Sequence, residues 1–203
     1  ELAAQQDTLF QLRTNGEGRF LLLDPGRDLI YTFSENSLLS RIEDRNGNHH
    51  DLIYDSAGRI ERVQDGLGRE LVFAYGADGR LSTIWDGCHR GVALGYNQDL
   101  LTSLTDPAGR VTTYEYDTEN AVPGLISRVI KPRGNIPFTQ LYDTAGRVVE
   151  QSDSAGNVTR LSFGDPSPGA TTFTDPLGAS VRHTHQADSS LTSHKDPAGK
   201  SIL

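Results

Sequence analysis

Apolar and polar side chains alternate along this chain in short runs that are separated by turn-forming residues. Residues 70–75 (Glu-Leu-Val-Phe-Ala-Tyr) and 111–116 (Val-Thr-Thr-Tyr-Glu-Tyr) are rich in β-branched and aromatic side chains with a period of two. Such runs are typical of half-buried β-strands. The longest apolar runs, such as 20–23, are too short to cross a membrane as a helix.

The turn residues between these runs repeat in the form Asp-x-x-Gly. From Asp44 onward, the first positions of successive copies are separated by 21, 21, 20, 25, 22, 22 and 21 residues, and the long interval contains an insertion at 118–124. The copies that begin at residues 86 and 131 lack the Gly and the Asp, respectively. A period near 21 that is kept over eight copies predicts a repeat architecture. The intact copies are Asp44 with Gly47, Asp65 with Gly68, Asp106 with Gly109, Asp153 with Gly156, Asp175 with Gly178 and Asp196 with Gly199.

A second motif, an aromatic residue followed by a turn that ends in Gly-Arg, is interleaved with the first. Its clearest copies are Tyr54 with Gly58 and Arg59, and Tyr142 with Gly146 and Arg147. Without the turn residues, each unit contains two strands of about six residues, which is one β-hairpin. Because a lone hairpin is barely stable, the hairpins are expected to stack on one another. The sequence therefore predicts an all-β fold of stacked antiparallel β-hairpins of about 21 residues, with the recurring tyrosines forming an aromatic ladder.

Composition supports this fold class and excludes others. The chain has 203 residues, enough for a hydrophobic core, and a net charge of −8, which disfavours binding to nucleic acid. Asp outnumbers Glu by 18 to 9 and Arg outnumbers Lys by 16 to 3, a balance that disfavours a helical bundle. The single Cys excludes an internal disulfide framework. The absence of any Met indicates a processed product or a piece of a larger polypeptide.

The two alternating motifs resemble those of the YD-repeat or Rhs-repeat family. The family pattern, an apolar stretch with Asp-x-x-Gly followed by Tyr-Asp-x-x-Gly-Arg, is met within residues 60–80, 101–117 and 148–163. The resemblance covers residues 38–203, which we interpret as the repeat array. Residues 1–37 fit the period poorly and are interpreted as divergent repeats or the start of the same segment.

The resemblance implies a function that composition does not. Members of the family include bacterial polymorphic toxins, type VI secretion effectors and the C subunits of insecticidal Tc toxins, in which the repeats form a hollow β-shell around a C-terminal toxin. The implied partners are the remaining shell (in the same polypeptide or a cleaved fragment), the enclosed toxin, and a secretion spike or chaperone. The implied location is the bacterial cytoplasm before export and a target cell afterwards.

The family's autoprotease cleaves at an Asp-Pro-x-Gly-Leu segment, which this chain matches only in part. Asp175-Pro-Leu-Gly178 is followed by Ala179 instead of Leu. The segment also keeps the register of the ordinary repeats. We therefore interpret it as a turn and expect the cleavage segment to lie outside this chain.

No other motif predicts chemistry. His183 and His185 share one face of a strand, but no further ligand completes a metal site, and His89 and His194 are expected to be solvated. The sequence predicts no catalytic, cofactor-binding or metal-binding residues. The arginines of the Gly-Arg pairs are expected to pair with turn aspartates, the alternative being a polar lining that faces a cargo; they are Arg59, Arg80, Arg110 and Arg147.

Three functions remain open from the sequence. The first is a structural segment of a toxin-enclosing shell. The second is a surface-exposed module that binds glycans or a target cell. The third, an enzyme fragment, lacks a suitable group of residues.

Overall fold

The computed structural model describes residues 10–15, 18–165 and 167–201, which form two compact units, Glu1–Leu94 and Gly95–Leu203. Every regular element in these residues is a strand. No helix among them is long and apolar enough to cross a membrane. The all-β prediction is therefore confirmed.

The first unit is an antiparallel sheet in which each strand pairs with the next one in sequence. Its strands are β1 (Gln11–Thr14), β2 (Phe20–Asp24), β3 (Leu29–Phe33), β4 (Leu39–Asp44), β5 (His49–Tyr54), β6 (Ile60–Asp65), β7 (Glu70–Tyr75), β8 (Leu81–Asp86) and β9 (Gly91–Asn97), the last of which ends in the second unit.

The second unit has the same construction, again with consecutive strands paired antiparallel. Its strands are β10 (Leu100–Thr105), β11 (Val111–Tyr116), β12 (Ile126–Ile130), β13 (Phe138–Tyr142), β14 (Val148–Asp153), β15 (Val158–Phe163), β16 (Ala170–Thr174), β17 (Ser180–His185) and β18 (Leu191–Lys195).

The two faces of the first unit differ in polarity because side chains alternate along each strand and cross-strand partners point the same way. One cross-strand row runs Arg41, Asp51, Gln64 and Glu70. We call the face that carries this row the charged face. The opposite face, which we call the apolar face, carries Leu22, Tyr31, Ile42, Leu52, Val63, Phe73, Ile84 and Val92.

The second unit shows the same division. Glu115 pairs with Arg128 and Glu150 with Arg160 on one face, and both pairs are ion pairs. The other face carries Tyr114, Val129, Leu161, Phe163, Phe173 and Val181. Within each unit the alternation in the sequence thus places these ion pairs on one face and most of these large apolar side chains on the other, although Trp85 and Val72 lie on the charged face of the first unit.

Neither unit has an enclosed hydrophobic core among its described residues, although the chain is long enough for one. Val129 and Ala170 are the buried hydrophobic residues, at 7% and 2% exposure. The reason is topological: the recorded contacts between strands join sequence neighbours, so no second layer covers either face within a unit. Apolar side chains are instead half-buried against their cross-strand neighbours.

Candidate functional site: the repeated turns and their tyrosines

The Asp-x-x-Gly motif forms one turn geometry, seen clearly at Asp65. The backbone N–H of Gly68 donates to the carbonyl of Asp65 at 3.3 Å, and the N–H of Asp65 donates to the carbonyl of Arg69 at 3.0 Å. Gly68 has a φ of +82°. This is a type I turn followed by a left-handed residue in a bulge, which favours Gly because a side chain is strained there.

The aspartate stabilises this turn with its own carboxylate. The backbone N–H groups of Leu67 and Arg69 both donate to Oδ1 of Asp65, each at 2.9 Å. The guanidinium of Arg69 donates to Oδ2 at 2.6 Å. The carboxylate thus accepts two backbone donors, a role that a residue without a short acceptor side chain cannot take.

The structure places all six intact copies in such turns. Their glycines have φ values from +75° to +88°. In five copies both backbone donors bond the aspartate, and in the sixth the N–H of Lys200 donates to Asp196. The five are the turns at Asp44, Asp65, Asp106, Asp153 and Asp175. At Asp175, the segment resembling the cleavage motif, the donors are the ordinary Leu177 and Ala179 N–H groups.

The Tyr-Asp-x-x-Gly-Arg motif forms the same turn at the opposite end of the strands. At Asp55, the N–H groups of Ala57 and Arg59 donate to Oδ1 at 2.9 Å each, and Gly58 has a φ of +76°. Asp143 and Gly146 repeat this arrangement. The two motifs therefore share one turn, and the tyrosine is what distinguishes the second.

In four hairpins a tyrosine at this position links the hairpin to the preceding one. The hydroxyl of Tyr54, on β5, donates to the carbonyl of Leu39 on β4 at 2.7 Å, while its backbone faces Ile60 on β6. Three further tyrosines donate to carbonyls 15 or 16 residues earlier: Tyr75 to Ile60, Tyr116 to Leu101, and Tyr142 to Ile126. Burial raises the pKa of Tyr54, Tyr116 and Tyr142. The four tyrosine hydroxyls thus form a series of bonds to backbone carbonyls, which the sequence did not predict.

The arginine after the glycine connects its own turn to the next aromatic residue. Arg59 lies 2.7 Å from the carboxylate of Asp55, and its Cζ is 4.3 Å from the ring centroid of Tyr75. Arg147 likewise binds Asp143 and lies 4.3 Å from the ring centroid of Phe163. The other two arginines of the Gly-Arg pairs also bind turn carboxylates: Arg80 binds Asp78, and Arg110 binds Asp106 in a turn of the first motif. The sequence analysis did not predict these ring contacts. In both of them the aromatic residue follows the arginine by 16 residues, a spacing that could have indicated them.

Hydrogen bonds lower the pKa values of six of the turn carboxylates. At Asp55, Asp65, Asp106 and Asp143 the largest cause is the backbone N–H of the following arginine. At Asp44 and Asp153 it is a side-chain amide, from Asn48 and Asn157. The charged form is therefore the one that stabilises these turns.

Two degenerate copies keep the backbone geometry with substituted residues. His89 occupies the glycine position of the turn at Asp86 with a φ of +62°, and its N–H donates to the Asp86 carbonyl at 3.2 Å. In the other copy Lys131 replaces the aspartate, and the Gly134 N–H still donates to its carbonyl at 2.8 Å. The turn geometry is therefore kept when either the Gly or the Asp of the repeated motif is replaced.

The insertion at 118–124 enlarges one turn and contacts its neighbour. The side-chain amide of Asn120 donates to the backbone carbonyl of Asp143. Val122 packs 3.2 Å from the position where Gly146 would carry a Cβ. A side chain at position 146 would therefore crowd Val122 in the insertion as well as strain the turn.

The histidines are placed differently from the prediction in one respect. His89 is exposed, as expected, but His194 is half-buried on β18 and its Nδ1 lies 2.8 Å from Nε2 of His183 on β17. The expectation of a solvated His194 was wrong because the strand register, which places it opposite His183, could not be read from spacing. In the described part of the chain, no group of three or more His, Cys, Asp or Glu side chains is arranged to hold a metal ion.

Residues 97–136, which contain the turn at Asp106 and the Tyr116 hydroxyl bond, match the family model described as RHS Repeat. This part of the chain is similar to an RHS repeat. The resemblance drawn from the two alternating motifs is thereby confirmed. Comparison with curated proteins finds no match.

The fold is similar to that of a solved structure of another protein. The crystal structure of TcdB2-TccC3-TEV superposes with a TM-score of 0.58 and 13% sequence identity over 92% of this chain. A structure of the Photorhabdus luminescens Tc holotoxin pore matches 95% of this chain with 12% identity and a TM-score of 0.33. The chain spans 11% and 13% of the matched chains in these two structures. The first of these likenesses shows that the two proteins share a fold.

Proposed function

We propose that this chain is a structural segment of a hollow β-shell that encloses and helps to deliver a C-terminal toxin in a bacterial Rhs-type effector. The observation that carries the proposal is the shared fold with TcdB2-TccC3-TEV over 92% of the chain. The repeated turn and the RHS repeat at 97–136 support the same assignment.

The burial and polarity of the sheet support a role as part of a shell. Each unit buries few side chains completely and carries an apolar and a charged face. A sheet with one uncovered apolar face is stable when further protein covers that face or continues the sheet. The proposed covering partners are the remaining shell, in the same polypeptide or a cleaved fragment, and the enclosed toxin.

The polar groups of the described turns are used within the turns themselves. Asp55, Asp65 and Asp143 each bind backbone N–H groups and an arginine. Groups held in this way stabilise structure and are poorly placed to act on a substrate. We therefore assign no catalysis to this segment and place the toxin activity and any autoprotease elsewhere in the parent protein.

The remaining features of the proposal follow from an effector of this kind. The parent would be made in the bacterial cytoplasm and then exported to a target cell, with a secretion spike or a chaperone as its partner. We propose that the parent is exported by type VI secretion and acts in competition between bacteria. Nucleic acid is not among the proposed partners, since the net charge is −8.

The test is to express the parent protein whole and compare its mass under native and denaturing conditions. Enclosure predicts a large native particle whose denatured fragments include this segment and a separate toxin. As a control, toxin made separately and added to the purified shell must remain unbound and sensitive to protease. A segment that runs alone as a small stable monomer, or a toxin that binds equally well when added later, would contradict the proposal.

A second candidate, a glycan- or target-binding module, has one observation in its favour. Trp85 lies on the charged face, in register with Val72, and is 38% exposed. An exposed indole ring of this kind could stack on a sugar ring. A glycan array probed with the native chain and with Trp85→Ala tests it: hits lost in the variant support binding, and the absence of hits removes this candidate.

A further inference from the structure

Two histidines face each other across the hairpin formed by β17 and β18. His183 and His194 are direct cross-strand partners. Their ring centroids are 4.7 Å apart with the ring planes tilted by 59°, and Nε2 of His183 lies 2.8 Å from Nδ1 of His194. Both side chains are half-buried on the face that also carries Phe173 and Val181.

This contact constrains the protonation of the pair. Two nitrogens at 2.8 Å form a hydrogen bond when one ring donates and the other accepts. The nitrogen of the accepting ring that makes this contact must carry no proton. A neutral imidazole nitrogen is also the form that binds a metal ion.

We propose that His183 and His194 form a two-histidine site for a divalent transition-metal ion such as Zn²⁺, which would cross-link β17 to β18. Zinc–nitrogen bonds of about 2.0–2.1 Å in tetrahedral geometry place two ligand nitrogens about 3.3 Å apart. The observed separation is 2.8 Å, so the rings need to part by about half an ångström. The donating ring must also shift its proton to its other nitrogen, which frees both facing lone pairs for the metal.

The surroundings limit the site to these two ligands. His185 is on the same face of β17, but its ring centroid is 6.5 Å from that of His183. Thr171 is the cross-strand neighbour of His183 on β16, and Arg182 and Lys195 pair with each other on the opposite face. Consistently, the described residues contain no group of three or more metal ligands, so water would complete the coordination.

The effect of such a site would be local and structural. A metal ion bound to both strands resists their separation, and binding to the folded form alone raises stability by mass action. The β17–β18 hairpin would then be stabilised by a metal ion in addition to its backbone bonds. This inference is independent of the proposed shell function.

Zinc titration of the full 203-residue chain tests the site, followed by calorimetry and by NMR of the imidazole resonances. The variants are His183→Ala and His194→Ala, with His185→Ala and His50→Ala as matched controls from the same strand and from the first unit. We expect zinc to shift the His183 and His194 resonances and to bind saturably. Removing a group that supports a metal ligand weakens metal binding by roughly tenfold or more. Loss of His183 or His194, which are ligands themselves, should weaken zinc binding by at least this factor.

Three results would overturn the proposal. One is the absence of saturable zinc binding. Another is an equal loss of affinity in His50→Ala, which would indicate scattered surface binding. The third is an equal loss in His185→Ala, which would indicate a different set of ligands. Circular dichroism of each variant without zinc establishes that a loss of binding does not reflect unfolding.

Discussion

Arg59 lies over the ring of Tyr75, with its Cζ 4.3 Å from the ring centroid. The same guanidinium binds the carboxylate of Asp55, and the hydroxyl of Tyr75 donates to the carbonyl of Ile60. One arginine and one tyrosine thus connect the turn of one hairpin to the strand of the next. These side-chain links add to the backbone pairing that joins the neighbouring strands.

The tyrosine bond is tested by Tyr54→Phe. This change removes the hydroxyl that donates to the Leu39 carbonyl and leaves the ring in place. We expect the free energy of unfolding to fall by about 1 kcal/mol, the usual net value of one hydrogen bond. Urea denaturation measures it.

Tyr31→Phe is the matched control, since no hydrogen bond from the Tyr31 hydroxyl is recorded among the described residues. It should leave the free energy of unfolding nearly unchanged. Equal effects of the two substitutions would show that the Tyr54 hydroxyl contributes nothing specific.

The stacking of Arg59 is tested by Arg59→Lys, which keeps the charge but removes the planar guanidinium. We expect a loss of about 0.5–1 kcal/mol, the range for a cation–π contact at an exposed site. Arg69→Lys is the control, because Arg69 binds Asp65 at 2.6 Å and has no recorded contact with an aromatic ring. If urea denaturation gives the same loss for both variants, the ring contact does not stabilise the fold.

The hairpin period and its turns could be predicted from the sequence because they depend on local interactions. An aspartate that bonds N–H groups two and four residues later, and a glycine at positive φ, leave their signature within five residues. The tyrosine-to-carbonyl bond spans 15 or 16 residues and has a backbone acceptor, which any residue type provides. No side-chain pattern could therefore indicate it.

The His183–His194 pair was missed for a related reason. Whether the two rings meet depends on the register of β17 and β18, which includes an irregularity between Thr184 and His185. A shift of one residue would place His194 on the other face. Likewise, the left-handed backbone of His89 conflicts with the local preference of a residue that carries a side chain.

That conflict predicts a stabilising substitution, His89→Gly. His89 has a φ of +62° and is exposed, so Gly removes strain without removing packing. We expect a gain of about 0.5–1 kcal/mol, the left-handed strain less the extra chain entropy of Gly. The reverse change, Gly68→Ala, should lose a similar amount, since nothing lies within 4 Å of the added Cβ. Thermal and urea unfolding of both variants measure these effects, and a destabilised His89→Gly would show that its side chain is needed.

The turn carboxylates predict a loss of stability in acid. Folding lowers the pKa of Asp65, mainly through the Arg69 N–H, from an ordinary value of 3.8. A group whose pKa is lowered by folding stabilises the protein above its unfolded pKa, and this contribution is lost as pH falls through the folded pKa. Stability should therefore fall as the pH decreases below 3.8.

Asp65→Asn isolates this contribution from that of the other carboxylates. The difference in unfolding free energy between wild type and variant should be largest at neutral pH. It should shrink as the pH falls below 3.8 and through the lower pKa that Asp65 has in the folded protein. Glu61→Gln, at an exposed position outside the turns, is the control for removing a carboxylate. Urea denaturation between pH 7 and pH 2.5 would refute the argument if the Asp65→Asn difference did not change.

The degenerate turn at Lys131 permits a gain-of-function version of the same test. Its backbone already has the required geometry, with Gly134 at a φ of +80° and the Lys131 N–H donating to Asn135 at 2.9 Å. Lys131→Asp supplies a carboxylate that can accept hydrogen bonds from the backbone N–H groups of Arg133 and Asn135. The side-chain amide of Asn135 can also donate to this carboxylate, just as the side-chain amide of Asn157 donates to Asp153. We expect a gain of about 1 kcal/mol at neutral pH that disappears in acid, with Lys131→Ala as the control for removing the lysine. If Asp and Ala stabilise the chain equally, the carboxylate does not hold these turns, and the backbone alone determines them.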